Sequence, residues 1–103
     1  MWYSASLLFK GVHSPLRAEP LWEESVRLIK ADTEDDAREK ARRLGVAEKT
    51  SYRTSDGKVT WIFDRIERVY AIDAESIVDG TELFSRFLRN SEVESLLTPM
   101  DDE

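Results

Sequence analysis

The chain has no cysteine among its 103 residues. That excludes a disulfide framework, a thiolate nucleophile and any zinc site built on sulfur. It also fits a reducing, cytoplasmic setting, which is the expected localisation. Histidine occurs once, as His13 in G-V-H-S-P, with no second His or Cys to share a metal. Imidazole suits general-base work near neutral pH, but a lone histidine in a Pro-flanked loop is more often simply exposed. With only four glycines no phosphate-cradling loop can be built, and no serine sits in a nucleophile elbow. Purely apolar runs extend to only a few residues, so nothing is long enough to span a bilayer. The opening M-W-Y-S-A-S-L-L-F-K has no basic stretch ahead of a hydrophobic one, and no signal peptide is expected. Positive charge is also short. Fifteen basic residues face 21 acidic ones, a formal net charge of −6 that repels phosphate backbones. No metal, cofactor, nucleic acid or membrane is therefore expected as a partner. An acidic surface suits a basic protein partner, although mild acidity is also what keeps a protein in solution.

What the chain does have is a dense β-forming stretch from Ser55 to Ile72, S-D-G-K-V-T-W-I-F-D-R-I-E-R-V-Y-A-I. Its β-branched and aromatic residues favour a pleated, half-buried surface, and Asp56-Gly57 in front of it supplies a hairpin turn. Apolar residues sit on odd numbers up to Phe63 and on even ones at Ile66, Tyr70 and Ile72. Such a parity switch predicts a bulge near Asp64-Arg65. A helix would also space Ile66, Val69 and Tyr70, but the β-branched content favours a strand. Trp2–Lys10 alternates as a first strand, followed by a polar loop from Gly11 to Pro20. Leu21–Lys30 reads as a second strand, pairing with the first, with Trp22, Val26 and Leu28 inward. Lys49–Thr54 is a short third strand across the Asp56-Gly57 turn.

Ala31–Gly45 is the clearest helix. Thr33 can cap it, with Asp36 as the reciprocal half of a capping box. Acids crowd its start and Arg38, Lys40, Arg42 and Arg43 its end, in the order that complements the helix dipole. Those acids (Asp32, Glu34, Asp35, Asp36) lack the glycine and closing glutamate of a calcium loop, and the dipole already accounts for them. Glu34–Arg38 and Glu39–Arg43 are spaced as i,i+4 pairs. Ala37, Ala41 and Leu44 form the stripe expected to be buried, small enough to bring the axis close to a sheet. Gly45 suits the left-handed position after the helix. Thr81–Arg89 fits a strand or a helix and is assigned as a fifth strand. Ser91–Leu97 reads as a short helix capped by Ser91 and Glu94, and Pro99 stops it. Residues 1–98 are expected to form one domain, with 99–103 a disordered acidic tail.

Candidate site residues come from polar groups on apolar rows. Glu24 lies between Trp22 and Val26, and Glu82 and Arg86 share a row with Phe84 and Leu88. A carboxylate on an apolar face is costly unless paired, and Arg86 is the natural partner, with Arg27 and Arg65 as alternatives. The ordinary reading is a half-buried ion pair that fixes strand register. The functional one is a polar pocket of Glu24, Glu82 and Arg86 framed by Trp22 and Trp61.

Four blocks, in order, resemble a known family: W-Y-S-A-S-L-L-F; E-E-S-V-R-L-I-K-A-D followed by E-D-D-A-R-E-K-A-R-R-L-G; V-T-W-I-F; and D-G-T-E-L-F-S-R. Together they resemble the small bacterial domain of unknown function 4288, over the chain up to about Leu88. The resemblance implies a compact stand-alone bacterial protein of about this length. It assigns no catalytic residue, and it does not extend to the tail after Asn90.

These readings converge on an α+β fold. The expected architecture is a twisted antiparallel sheet of about five strands, one main helix on one face and a short helix near the end. The expected function is a non-enzymatic protein-interaction module, one version being an acidic inhibitor of the antitoxin or immunity-protein kind. The alternative is a small-ligand binder or weak enzyme using the Glu24/Arg86 row. Leu8, Ile62 and one of Phe84 and Phe87 fall opposite the main apolar rows. A symmetric homodimer, or docking on another protein, is therefore expected.

Overall fold

The computed structural model describes residues 1–16 and 19–98. In chain order the elements are β1 (Trp2–Ser14), β2 (Leu21–Lys30), α1 (Glu34–Ala47), β3 (Thr50–Thr54), β4 (Gly57–Ala71) and α2 (Asn90–Leu97). They form an α+β fold around one antiparallel sheet of order β2-β1-β4-β3. The sheet has four strands where five were expected. The missing one is Thr81–Arg89, which is irregular up to Asn90. Its contacts with the sheet run through side chains and one carbonyl rather than a ladder. The expected acidic tail, 99–103, lies outside the described residues.

β1 lies inside the sheet, bonded along one edge to the next strand, β2, and along the other to the sequence-distant β4. It is longer than expected and runs through His13, which pairs with Val59 and is therefore in a strand rather than a loop. Alternation sends Tyr3, Ala5, Leu7 and Phe9 to one face, where they are buried with Ile29, Ala31, Ala37 and Ala41. Trp61, Phe63, Ile66 and Val69 of β4 pack against this cluster.

β4 keeps its apolar residues on that face by means of two irregularities. Phe9 pairs with Phe63 but Leu8 with Arg65, so Asp64 is extra; Leu7 pairs with Ile66 but Ser6 with Arg68, so Glu67 is extra. The first bulge is where the parity switch placed it. The second restores odd parity, so that Val69 packs inward and Tyr70 faces the other way, opposite Ser4. Bulges of this kind bend the strand and sharpen its twist. The β3–β4 hairpin closes through Ser55 and Asp56, with Thr54 paired to Gly57 at a φ of 154°. A Cβ on Gly57 would lie 2.0 Å from the Ser14 carbonyl oxygen, so only glycine passes here.

α1 begins as expected, with the Thr33 side chain accepting from the Asp36 amide at 3.1 Å. It does not stop at Gly45. The helix continues to Ala47, and Gly45 is a buried helical residue. A Cβ there would lie 2.3 Å from Phe63 Cδ1. The glycine serves close approach to β4, not a left-handed cap. The buried stripe is accordingly Ala37, Ala41 and Gly45, while Leu44 is exposed. Beyond the helix, Glu48 meets Arg27 of β2, with Nη1–Oε2 at 2.5 Å and Nη2–Oε1 at 3.0 Å.

Candidate interaction face

The residues between those of the core row point to the opposite face. On β1 they are Trp2, Ser4, Ser6, Leu8 and Lys10. On β2 their partners are Lys30, Leu28, Val26, Glu24 and Trp22. On β4 the row is Tyr70, Arg68, Arg65 and Ile62. Among the described residues no helix lies over this face, because α1 packs on the core side and α2 packs against no strand. Trp22, Val26 and Leu28, expected to point inward, are therefore 43%, 57% and 47% exposed, and Ile62 is exposed beside them. The apolar pattern of β2 was read correctly. Its burial was not, since β2 contributes only Ile29 to the covered core.

One end of this face is partly covered by the segment that follows β4. A turn closes it, with the Thr81 amide donating to the Val78 carbonyl at 3.1 Å and Gly80 at a φ of 88°. Ser4 Oγ then donates to the Leu83 carbonyl at 2.6 Å. The Tyr70 hydroxyl donates to Glu82 Oε1 at 2.6 Å. Phe84 meets Tyr70 edge-on at 5.5 Å between centroids, and the Arg68 guanidinium lies 4.0 Å over its ring. These contacts pin residues 82–84 at the Ser4–Tyr70 end and leave the β2 side open.

Glu24 has a partner, but a different one from that expected. Ser6 Oγ donates to its Oε2, and among the described residues no hydrogen bond or ion pair joins Glu24 to Arg86. The charge of Glu24 is felt at Arg68. Arg68 is raised above its ordinary value chiefly by its hydrogen bond to Glu67, with the Glu24 charge a smaller contribution against desolvation. Glu67 is correspondingly lowered, first by Arg68 and last by the charge of Arg86. Arg86 itself sits 6.0 Å from the Phe84 centroid. The register explains the substitution of partners. Ser6 is the neighbour of Leu8, which pairs with Glu24, and Ser6 itself pairs with Arg68.

The five residues singled out from the sequence thus divide. Glu24 and Trp22 lie on the open face, and Glu82 and Arg86 on the segment crossing its end. Trp61 lies on the other face, opposite Gly11, with its Nε1–H donating to the Tyr52 hydroxyl at 3.3 Å. No pocket framed by both Trp22 and Trp61 can form, because the sheet separates them. Sequence reasoning missed Ser6, Lys10, Lys30 and Arg68. Their signal was strand parity, since each falls in the row of Glu24 or its neighbours once β1 is paired. Lys10 and Lys30 lie over the Trp22 and Trp2 rings at 5.7 and 5.5 Å, the cation–π geometry. The face is therefore an apolar strip edged by cations. A groove of about 480 Å³ lies between α1 and the edge strand β2, lined by Ile29, Leu44 and Ala47 and bordering the open face at Leu28 and Lys30. Among the described residues no helix is long and apolar enough to cross a membrane.

The model of one family, described as a domain of unknown function (DUF4288), matches residues 2–85. The chain belongs to that family. The matched span takes in all four strands, α1 and the segment pinned across the open face, and stops before α2. No curated protein and no solved structure matches the chain.

Proposed function

We propose that this member of the family is a non-enzymatic protein-interaction module that works through the open face of its sheet. The observation that carries this reading is the exposure, on one face of the sheet, of Trp22, Val26 and Leu28 along β2 and of Ile62 on β4, with the half-buried Leu8 of β1 between the two strands. Single exposed apolar residues need no explanation, but large ones aligned across a sheet form the kind of patch that marks an interface. The strip's composition, aromatic and aliphatic with a cationic edge, resembles interface rather than core. A cytoplasmic setting suits a chain without cysteine.

The charge narrows the partner. The whole molecule is acidic, at −6, which would suit an inhibitor docking on a basic target. The open face is not acidic. Arg65 and Arg68 are ion-paired with Asp64 and Glu67 of the two bulges, and Lys10 and Lys30 share the face with Glu24, the one carboxylate in its paired rows. The surface that fits it is apolar and acidic, which argues against the antitoxin-like version. The small-ligand alternative is weaker still. Its Glu24/Arg86 pair is not formed, and Glu24 lies on an open sheet face.

The test is the double variant V26D/L28D, followed by light scattering and by the binding of an apolar fluorescent dye. Both residues are exposed, so the fold should survive, as circular dichroism would verify. The wild type should exceed 11.9 kDa or bind the dye, and the variant should lose whichever property is present. Identical mass and identical dye binding in the two proteins would refute the reading.

A further inference from the structure

The open face lacks a cover and α2 lacks a surface. We propose that the two complete each other across a symmetric dimer, the arm of residues 86–97 from one copy lying on the open face of the second. This rests on the reading of that face as a protein-docking surface and names its occupant.

The arm is unsupported in its own chain. α2 packs against no strand or helix, and none of its residues is buried. Phe87, just before it, is 104% exposed. A helix of eight residues is too short to be stable alone, since isolated helices below about 12–15 residues are marginal in water. It needs a surface. Val93, Leu96 and Leu97 are spaced i, i+3, i+4 and so share one side of the helix; Leu96 and Leu97 are exposed, as is Val93. The dimensions suit the strip: eight residues make about 12 Å of helix, and Phe87 and Leu88 extend the apolar stretch. From Trp22 to Leu28 the exposed row on β2 runs about 20 Å.

Charge selects the same pairing. Within the arm Arg86 and Arg89 precede the helix and Arg89 pairs with Glu92, while α2 itself holds Glu92 and Glu94 and no Lys or Arg. Opposite it would lie Lys10 and Lys30, on a face whose paired rows hold Glu24 as their carboxylate and whose Arg65 is already ion-paired with Asp64. The apolar, acidic surface that the open face calls for is thus present in this chain.

The geometry favours the second copy over the arm's own sheet. Residues 82–84 are anchored at the Ser4–Tyr70 end, and beyond them Phe87 is fully exposed and α2 meets no other element among the described residues. Ser85-Arg86-Phe87-Leu88-Arg89 contains no Gly, Pro, Asn or Asp to reverse the chain. The radius of gyration is 16.3 Å, against roughly 13 Å for a compact chain of this length. Exchange between two copies satisfies both arms and both faces, and closes by a two-fold axis.

Light scattering on the full-length chain should give twice 11.9 kDa, with the dimer weakened at high salt. L28D on the face and V93D/L97D on the arm should each weaken it by roughly 30-fold or more, as loss of a central contact does. Mixing these two monomeric variants should regenerate a 1:1 heterodimer, joined by the one intact face and the one intact arm. A cross-linker and the Trp22 emission would report it. A dimer that V93D/L97D leaves intact but L28D breaks would overturn the arm and keep the face. Failure of the mixed variants to associate would do the same. A wild-type mass of 11.9 kDa would overturn the exchange, and dye binding by V26D/L28D would then decide separately whether the face reading survives.

Discussion

The two faces of one sheet are built from alternate residues of the same strands, yet one is a core and the other is a surface. Leu7 and Leu8 are adjacent, as are Leu28 and Ile29. Leu7 is fully buried and Leu8 only partly; Ile29 is buried and Leu28 exposed. Hydrophobicity does not separate them. The difference lies in what can approach. On the core face a helix with Ala37, Ala41 and Gly45 along one side lets its backbone come down onto Phe9 and Phe63, which meet at 5.9 Å. On the other face the apolar residues are interleaved with Ser4, Ser6, Lys10 and Glu24, whose polar groups need water or a polar partner. A helix cannot be packed there without polar groups of its own. Such a face suits an association that is edged by charge.

The contrast is broken or upheld most sharply by the same substitution on each face. Leu7→Ala removes a fully buried side chain at the centre of the cluster and should destabilise by about 2–5 kcal/mol. Leu28→Ala, on the open face of the neighbouring strand, should change the stability of the isolated chain by less than about 0.5 kcal/mol. Urea denaturation of both, at a concentration where any dimer is dissociated, is the measurement. Comparable losses would mean that the open face is covered within the single chain.

Gly45→Ala tests why α1 can sit where it does. In an exposed helix this change is favourable by up to about 1 kcal/mol. Here the added Cβ would lie 2.3 Å from Phe63 Cδ1, and overpacking of that kind costs about 1–3 kcal/mol. The expected sign is therefore reversed, to a net loss read by thermal or urea unfolding. A stabilised variant would show that the helix has room to spare.

Much of the core face was legible because its signals are local. Thr33, the acid-to-base order along α1, the alternation in β1 and the parity switch at Phe63 each report on a few neighbouring residues. Gly45 was misread because its reason is not local. A glycine near a helix end looks like a cap until Phe63 of a later strand is placed against it. The open face was legible in pattern and not in outcome. The alternation of β2 says that Trp22, Val26 and Leu28 share a side, but which side is covered depends on where α1 lands. The partner of Glu24 was misassigned for a related reason. Arg86 was chosen by treating Thr81–Arg89 as a strand with a register, whereas that segment is irregular and the real neighbours, Ser6 and Arg68, follow from the β1 ladders.

That neighbourhood yields a smaller effect. Ser6 is buried and donates to Glu24. Ser6→Ala should cost about 0.5–1.5 kcal/mol, the usual worth of one hydrogen bond. Glu24→Gln keeps an acceptor and should cost less. In a double-mutant cycle the Ser6 and Glu24 changes should couple, whereas Arg86→Ala should be additive with either. Coupling of Glu24 to Arg86, with none to Ser6, would restore the pairing that the sequence suggested.

The smallest effect expected lies on the outer side of the core-face helix, where Glu39 meets two arginines. Arg42 bonds it through Nε at 3.0 Å and Nη2 at 2.8 Å, and Arg43 through Nε at 3.3 Å. These hydrogen bonds, that of Arg42 foremost, lower its carboxyl to about 2 from an ordinary 4.5. A carboxylate lowered on folding stabilises the native state above its unfolded value and ceases to do so as pH falls through the folded one. The contribution of Glu39 is thus fully present above about pH 4.5 and is lost between there and about pH 2. Because the pair is exposed, solvent screens it and the energy involved is small. Other carboxylates titrate in the same window, so the informative quantity is the difference between the wild type and Glu39→Gln. Urea midpoints measured from pH 2 to pH 6 should differ most above pH 4.5 and converge at the acid end, with high salt shrinking the gap. A gap that stayed constant across the range would show that Glu39 acts through packing or helix propensity and not through its charge.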